Sequence, residues 1–156
     1  MASTKQVTII DKFTGKIEYQ NPEGNDSKLI PNPAMGKGYI SVKMMKNTVF
    51  LSQNCGNIII LSKDPLSNNW ISREHVTGLQ NIELMFGDES FDVLGYGSKE
   101  CIKFWDRRKE SETELCIDKA ENSNIQGAQL SYPFVFIIFK GYIMGSIKIY
   151  NIVVNH

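Results

Sequence analysis

The sequence predicts an all-β fold built from short antiparallel strands, and three observations lead to that prediction. No long segment places apolar residues at the i, i+3, i+4 and i+7 spacing of an amphipathic helix. Short runs of Val, Ile, Phe and Tyr are separated by clusters of Gly, Asn, Asp, Ser and Pro, which is typical of strands joined by turns. One of these runs also recurs at a nearly constant interval, which indicates a repeated structural unit.

The recurring run is a five-residue strand that ends in a small polar turn former. Its four copies are Val7–Asp11, Ile58–Ser62, Ile102–Asp106 and Ile147–Asn151. Successive copies end 51, 44 and 45 residues apart. The first interval is longer because a loop rich in Pro, Gly, Asn, Asp and Ser occupies residues 21–36.

Each repeat offers further strands, two apolar ones before the recurring run and a more polar one after it. The predicted first strands are Tyr39–Met44, Asn81–Phe86 and Ile125–Ser131, the second strands are Thr48–Ser52, Phe91–Leu94 and Val135–Phe139, and the fourth strands are Lys16–Gln20, Trp70–His75 and Thr113–Asp118. The spacing therefore predicts four-stranded antiparallel units. A sandwich or barrel of about a dozen strands is the alternative, and the near-equal intervals of 44 and 45 residues favour the repeat.

The recurring strand resembles a segment of a known family. Ile102–Asp106 is similar to the strand with the Trp-Asp dipeptide that names WD repeats, and Ile147–Asn151 resembles its degenerate form. Val7–Asp11, followed by Thr14-Gly15-Lys16, resembles the passage from the third to the fourth strand of such a repeat. The resemblance to the WD40-repeat β-propeller family covers nearly the whole chain.

This resemblance implies one propeller segment over residues 1–156, with antiparallel four-stranded blades in an incomplete, open ring. The expected parts are a partial blade at 1–20, a loop at 21–36, blades at 37–77 and 79–119, and a partial blade at 122–154. A propeller closes with about 4–8 blades, so these parts do not close a ring alone. The chain lacks a Gly-His dipeptide and has Lys99 where the family has an Asp. The family's usual His–Asp–Ser–Trp network is therefore not expected, and apolar packing should hold the blades.

Charge and composition argue against several classes of partner. Lys plus Arg and Asp plus Glu both number 17, so the chain has no overall charge to attract nucleic acid or an anionic membrane. The apolar stretch Leu130–Val154 is interrupted by Pro133, Lys140 and Gly141, which predicts two strands and a turn in place of a membrane span.

The cysteines and the start of the chain indicate a reducing compartment. Cys55, Cys101 and Cys116 are odd in number and lack paired spacing, so we expect reduced thiols. Residues 1–6 lack the apolar region of a signal peptide. The expected location is therefore cytoplasmic or nuclear. Cys101 and Cys116 are interpreted as small apolar fillers within strands.

No residue pattern predicts a catalytic, cofactor-binding or metal site. His75 is the only interior histidine, and the adjacent Glu74 should point to the opposite face of its strand. The cysteines lack Cys-x-x-Cys spacing, and Gly95-Tyr96-Gly97 and Gly36-Lys37-Gly38 are interpreted as hairpin glycines with positive φ. Four carboxylates near strand ends are expected to accept turn N–H groups: Asp11, Asp64, Asp106 and Asp118.

Four residues are candidates for contact with a protein partner. Arg107, Arg108 and Lys109 form the densest basic cluster, which is either a solvated turn or a contact for an acidic or phosphorylated partner. Trp70 follows Asn68-Asn69 at the edge of a loop, where it is either a residue that caps a strand or a partly exposed contact for a partner, and the capping role is the favoured of the two. Trp105, by contrast, belongs to an apolar strand and should lie in the core.

Two functions are compatible with these features. The first is a non-catalytic protein–protein interaction or scaffold module in a multiprotein complex, whose partner is a chain that completes the propeller or a second copy. The second is a hydrolase on a propeller scaffold with its site at the central channel. The absence of clustered His, Asp and Glu residues at equivalent positions of the repeats favours the first.

Overall fold

The computed structural model describes residues 8–10, 13–14, 17–20, 39–98, 101–117, 124–140 and 144–152. Over these residues the chain forms β-strands and no helix, which confirms the all-β prediction. The strands are β1 (Thr8–Ile10), β2 (Ile17–Gln20), β3 (Tyr39–Met45), β4 (Thr48–Gln53), β5 (Asn57–Lys63), β6 (Trp70–Val76), β7 (Leu84–Asp88), β8 (Val93–Gly97), β9 (Cys101–Asp106), β10 (Ser111–Cys116), β11 (Asn124–Ser131), β12 (Phe134–Lys140) and β13 (Ser146–Asn151). The chain divides into two compact units, Met1–Asn81 and Ile82–His156.

The first unit contains a two-stranded sheet, β1-β2, and a four-stranded antiparallel sheet in the order β3-β4-β5-β6. Every residue of β4 is buried, and the outermost strand β6 carries the polar residues that the sequence predicts there. Ile9 of β1 packs against the apolar cluster of the larger sheet. The members of that cluster are Tyr39, Val49, Leu51, Ile59, Leu61 and Trp70.

The turn between β4 and β5 depends on Gly56. Its φ is +84°, and its N–H donates to the Gln53 carbonyl at 3.0 Å. A Cβ on this residue would lie 1.7 Å from the Leu79 carbonyl oxygen. The Thr77 hydroxyl donates to the Gly56 carbonyl and accepts the Leu79 N–H at 3.1 Å. The turn is therefore fixed to the segment that follows β6.

The second unit contains a four-stranded antiparallel sheet, in the order β10-β9-β8-β7, and a three-stranded sheet, β11-β12-β13. One apolar cluster draws side chains from both sheets of this unit. Its buried members are Phe86, Val93, Ile102, Phe104, Ile117, Ile125, Leu130, Val135, Ile137, Phe139 and Ile152. Trp105 is 5% exposed, which confirms that it is a buried residue.

The interpretation of Gly95 and Gly97 as turn glycines is wrong, because both lie inside β8 and neither has a positive φ. Gly95 pairs with Phe86 on one side and with Phe104 on the other. A Cβ on Gly95 would lie 2.4 Å from the Phe86 ring. Because Gly95 has no Cβ, the rings of Phe86 and Phe104 can meet edge to face, with their centroids 6.0 Å apart.

Two strands of the second unit start later than the sequence predicts. The strand expected at Asn81–Phe86 is β7, which begins at Leu84, and the strand expected at Phe91–Leu94 is β8, which begins at Val93. The cause of the second shift is a turn before β8, in which the Asp88 carboxylate accepts the Phe91 N–H at 3.3 Å.

The apolar stretch near the end of the sequence forms two strands, β12 and β13, as predicted. Among the described residues, none belongs to a helix with the length and hydropathy that membrane crossing requires. Several predicted features lie outside the described residues: the loop at 21–36, Gly36 and Gly38, Asp11, Lys99 and Asp118.

Candidate protein-contact surface

The turn after β9 is organised by Asp106, whose side chain is 1% exposed. Its carboxylate accepts the Arg108 N–H at 3.0 Å, and its carbonyl accepts the Lys109 N–H at 3.3 Å. The Arg108 Nε and the Lys109 Nζ lie 3.6 and 3.9 Å from the same carboxylate. The prediction that Asp106 stabilises a turn is confirmed.

The three basic residues of this turn have different surroundings. Arg107 has a side chain only 17% exposed, and its Nη1 lies 2.8 Å from Asp92 Oδ1. Its N–H also donates to the Asp92 carbonyl at 3.2 Å, so Arg107 ties the β9–β10 turn to the β7–β8 turn. Arg108 and Lys109 are 50% and 42% exposed and lie at the surface.

Arg108 belongs to a stack of three side chains, which we call the Arg108–Phe91–Tyr132 stack; Arg108 and Phe91 are exposed, and Tyr132 is half-buried against the apolar cluster of the second unit. The guanidinium lies 5.9 Å from the centre of the Phe91 ring, and the Phe91 and Tyr132 rings are 5.0 Å apart. Phe91 is 40% exposed. The stack joins side chains from three turns of the second unit, those after β7, β9 and β11.

Asp88 fixes two of these three turns. One carboxylate oxygen accepts the N–H groups of Ser90 and Phe91, at 2.9 and 3.3 Å. The other oxygen accepts the Tyr132 N–H at 3.0 Å. The two aromatic residues of the stack are therefore held by one carboxylate.

The charge of this surface is nearly balanced. Asp92 and Asp106 pair with the three cations, and Glu110 follows them in the same turn. Such a surface has little net attraction for an acidic or phosphorylated partner. An exposed aromatic ring beside a guanidinium is instead a combination enriched in protein–protein interfaces.

The sequence interpretation missed Phe91 and Tyr132. Phe91 was assigned to a strand because Val, Leu and Phe are adjacent there, although Asp88 and Ser90 were signals of a turn before it. Tyr132 precedes Pro133 between two strands, which also signals a turn. Neither signal shows that the two rings meet, because the residues are far apart in sequence.

Of the two interpretations of Trp70, the partly exposed contact is wrong. The residue is 9% exposed and packs in the apolar cluster of the first unit. It opens β6 opposite Lys63 of β5, and the Lys63 ammonium lies 5.6 Å from the centre of the indole. The loop before it does not expose the ring, because the ring is directed to the cluster.

Asp64 confirms a second prediction of a turn carboxylate. It accepts the Leu66 N–H at 3.1 Å and the Ser67 hydroxyl at 2.6 Å. The Ser67 hydrogen bond, followed by the Leu66 one, lowers the pKa of Asp64 below 3.8. Within the described part of the chain, no group of three or more His, Cys, Asp or Glu side chains is arranged to hold a metal ion.

The interpretation of Cys116 as an apolar filler is wrong, since this residue is exposed at the end of β10. Cys101 is half-buried at the start of β9. The Glu74 carboxylate accepts a hydrogen bond from the Asn57 side-chain amide, with 2.5 Å between Oε1 and Nδ2.

A chain in the crystal structure of a mitotic checkpoint complex has a similar fold, with a TM-score of 0.67 and 14% sequence identity. The similarity covers 97% of this chain and 42% of the solved chain, so this chain spans less than half the length of that one. No protein-family model and no curated protein sequence matches the chain. The similarity and the four-stranded antiparallel sheets fit a propeller-like fold.

Proposed function

We propose that this chain is a non-catalytic interaction module of the WD-repeat type, working within a multiprotein complex of the cytoplasm or nucleus. The Arg108–Phe91–Tyr132 stack is the observation that carries the proposal. It exposes an aromatic ring and a guanidinium on turns that hydrogen bonds already fix. The similarity to a chain of a multiprotein complex supports a protein partner.

Binding at this surface uses aromatic area and a cation more than net charge. Phe91 offers a flat apolar face, and Arg108 offers donors that lie over that face. Lys109 stands beside them and contributes a solvated cation at the rim. Residues of this kind contribute most of the binding energy where they become fully desolvated.

Affinity capture with truncated variants tests the proposal. The tagged chain and its Phe91→Ala and Arg108→Ala variants are used as bait, and co-purified proteins are quantified by mass spectrometry. Each truncation should weaken capture of the direct partner at least about fivefold, the equivalent of about 1 kcal/mol. Circular dichroism of each variant checks that the fold is retained.

Control variants carry an apolar-to-alanine and an arginine-to-alanine change elsewhere. Ile71 and Arg73 are an exposed apolar and an exposed basic residue on β6 of the first unit. Ile71→Ala and Arg73→Ala should leave capture unchanged. The proposal is contradicted if no stable partner is captured, or if the control variants lose the partner to the same extent as the stack variants.

We further propose that β13 pairs with a strand of another chain, either a second copy or a protein that contributes further blades. Among the described residues β13 has a neighbouring strand on one side only, β12. The Ile152 N–H donates to the Pro133 carbonyl at 2.8 Å, so even-numbered residues of β13 direct their backbone to β12. The backbone of Ile147 and Ile149 therefore points to the outer edge.

The face of this sheet beside that edge is apolar. Ile147 and Ile149 are 66% and 62% exposed, and Ile138, the register partner of Ile147, is 43% exposed. The two four-stranded sheets indicate what kind of strand fits beside β13. Each of them ends in a fourth strand with alternating polar residues, β6 in one and β10 in the other. A partner strand of that kind would pair with the edge and extend the sheet.

A proline at the edge tests this association. Ile149→Pro removes an N–H that points outward and leaves the hydrogen bonds to β12 in place. Ile149→Thr removes similar apolar surface but keeps the N–H. Light scattering and affinity capture should show association for the native chain and for the Thr variant, with loss in the Pro variant. A native chain that stays monomeric and captures no partner through this edge refutes the proposal.

A further inference from the structure

Two cysteines of the second unit face each other across neighbouring strands. Cys101 opens β9, Cys116 ends β10, and the two are direct register partners. The Cys101 carbonyl accepts the Ser98 N–H at 3.0 Å, so the backbone of Cys101 points away from β10. The pair is therefore of the non-hydrogen-bonded kind, in which the Cα atoms are about 4.5 Å apart. Disulfides span Cα separations of about 4.4–6.8 Å.

One carboxylate lies beside both thiols on the same face of the sheet. The Cys116 Sγ donates to Glu114 Oε1 at 3.3 Å, and Glu114 also raises the pKa of the Cys101 thiol. Both cysteines are free thiols, Cys116 exposed and Cys101 half-buried. Small reagents in solution can therefore reach the pair.

We propose that Cys101 and Cys116 form a redox modification site, at which a low-molecular-weight disulfide such as glutathione disulfide oxidises them to a cross-strand disulfide. The first thiolate attacks a sulfur of glutathione disulfide, which forms a mixed disulfide and releases one glutathione thiolate. The second thiolate attacks the protein sulfur of the mixed disulfide and releases the second glutathione. The protein loses two electrons and two protons, and the oxidant becomes two glutathione molecules.

The surroundings of the pair control how readily it reacts. Burial, followed by the Glu114 carboxylate, raises the pKa of Cys101 to about 11, while Lys103 opposes this effect. Glu114 also raises the pKa of Cys116. Thiolates are the reactive species, so Glu114 slows the reaction near neutral pH. Glu112, on the same face, accepts the Tyr96 hydroxyl and lies 3.6 Å from Lys103, which leaves Glu114 as the carboxylate beside the thiols.

The disulfide would join the outermost strand of the four-stranded sheet to its neighbour. It would enclose the β9–β10 hairpin, whose turn carries Arg107, Arg108 and Lys109. Cross-links inside reducing compartments are usually transient and regulatory. The inference is independent of the proposed binding function, because it depends only on the register and the thiol contacts.

Titration of the purified native chain with glutathione buffers tests the site. Intact mass and peptide mapping are measured after rapid alkylation at a series of glutathione disulfide to glutathione ratios. The expected product is an intramolecular Cys101–Cys116 link with Cys55 still alkylated as a free thiol. Amide exchange should slow in β10 of the oxidised form and stay unchanged in β3 to β6. Separate glutathione adducts, links to Cys55, or unchanged thiols under oxidising ratios each overturn the proposal.

Two variants make the test specific. Cys101→Ser should leave the exposed Cys116 as a stable glutathione adduct, since the resolving thiol is absent. Glu114→Gln should raise the alkylation rate of Cys116 near neutral pH, since loss of the carboxylate lowers the pKa of the thiol and increases its thiolate fraction. Glu110→Gln, in the exposed turn of the same hairpin, is the matched control and should leave that rate unchanged. Equal rates in the two Gln variants would remove Glu114 from the proposed site.

Discussion

Replacement of Gly56 by alanine should be among the most destabilising single changes in the first unit, for two separable reasons. The residue has a φ of +84°, which disfavours any side chain. An added Cβ would also lie 1.7 Å from the oxygen of Leu79 and 2.6 Å from its carbonyl carbon. Gly78 provides a matched comparison, because its φ is +73° and an added Cβ would meet nothing within 4 Å.

The two glycines should therefore differ by the cost of the clash. The left-handed conformation alone costs about 1–2 kcal/mol for a non-glycine residue, which is the value expected for Gly78→Ala. At Gly56 the obstacle is backbone, so relief requires moving Leu79 and breaking its bond from N–H to the Thr77 hydroxyl. Thr77 is 3% exposed and also bonds the Gly56 carbonyl. Two lost hydrogen bonds at about 1 kcal/mol each bring the cost of Gly56→Ala to about 3–4 kcal/mol.

Urea unfolding of the native chain and of the two variants measures this difference. Tryptophan fluorescence is a suitable signal, since Trp70 lies in the apolar cluster of the same unit. The free energy of unfolding should fall by about 2 kcal/mol more in Gly56→Ala than in Gly78→Ala. Equal losses in the two variants would refute the reasoning, because they would show that φ alone sets the cost and that the Leu79 carbonyl moves freely.

Two other changes are expected to act through single contacts. Gly95→Ala should cost about 1–3 kcal/mol by overpacking, and Phe86→Leu in the same chain should recover part of that loss in urea unfolding. If the double variant recovers none of the stability lost in Gly95→Ala, this explanation by overpacking is contradicted. Ser67→Ala should raise the pKa of Asp64 toward 3.8 in an NMR titration, since the Ser67 hydrogen bond is the main cause of its lowering. The stabilisation from Asp64 is present above pH 3.8 and is lost as the pH falls through the lower pKa of the folded chain.

Strand positions could be predicted from the sequence where the residues of the segment themselves favour a strand. The copies of the recurring run at Ile58–Ser62, Ile102–Asp106 and Ile147–Asn151 lie within β5, β9 and β13. β-branched and aromatic residues suit a pleated, buried surface, and small polar residues end it. These preferences act over a few neighbouring residues, so a single sequence contains them.

The errors occur where a distant contact decides the outcome. Phe91 is an exception, because the Asp88 carboxylate that accepts its N–H is a local contact, and Asp88 and Ser90 already indicate a turn in the sequence. Gly95 looks like a turn residue but lies in β8, because the Phe86 ring occupies the space of its missing side chain. Trp70 follows a polar loop but is buried, because it packs in the apolar cluster of the first unit, whose other members come from β3, β4 and β5. Composition and spacing do not contain these contacts.

Preorganisation of the proposed contact surface leads to a prediction about a residue that need not touch the partner. Asp88 holds the backbone of both Phe91 and Tyr132 through its two oxygens. Without it, the two turns would have to be ordered on binding, at an entropic cost that the native chain avoids. Asp88→Ala should therefore weaken the captured partner, and Phe91→Ala should cost less affinity in that background than in the native chain. The affinity for the captured partner is measured by titration for Asp88→Ala, for Phe91→Ala and for the double variant. If the losses of binding free energy in the two single variants add up to the loss in the double variant, Asp88 does not order the stack.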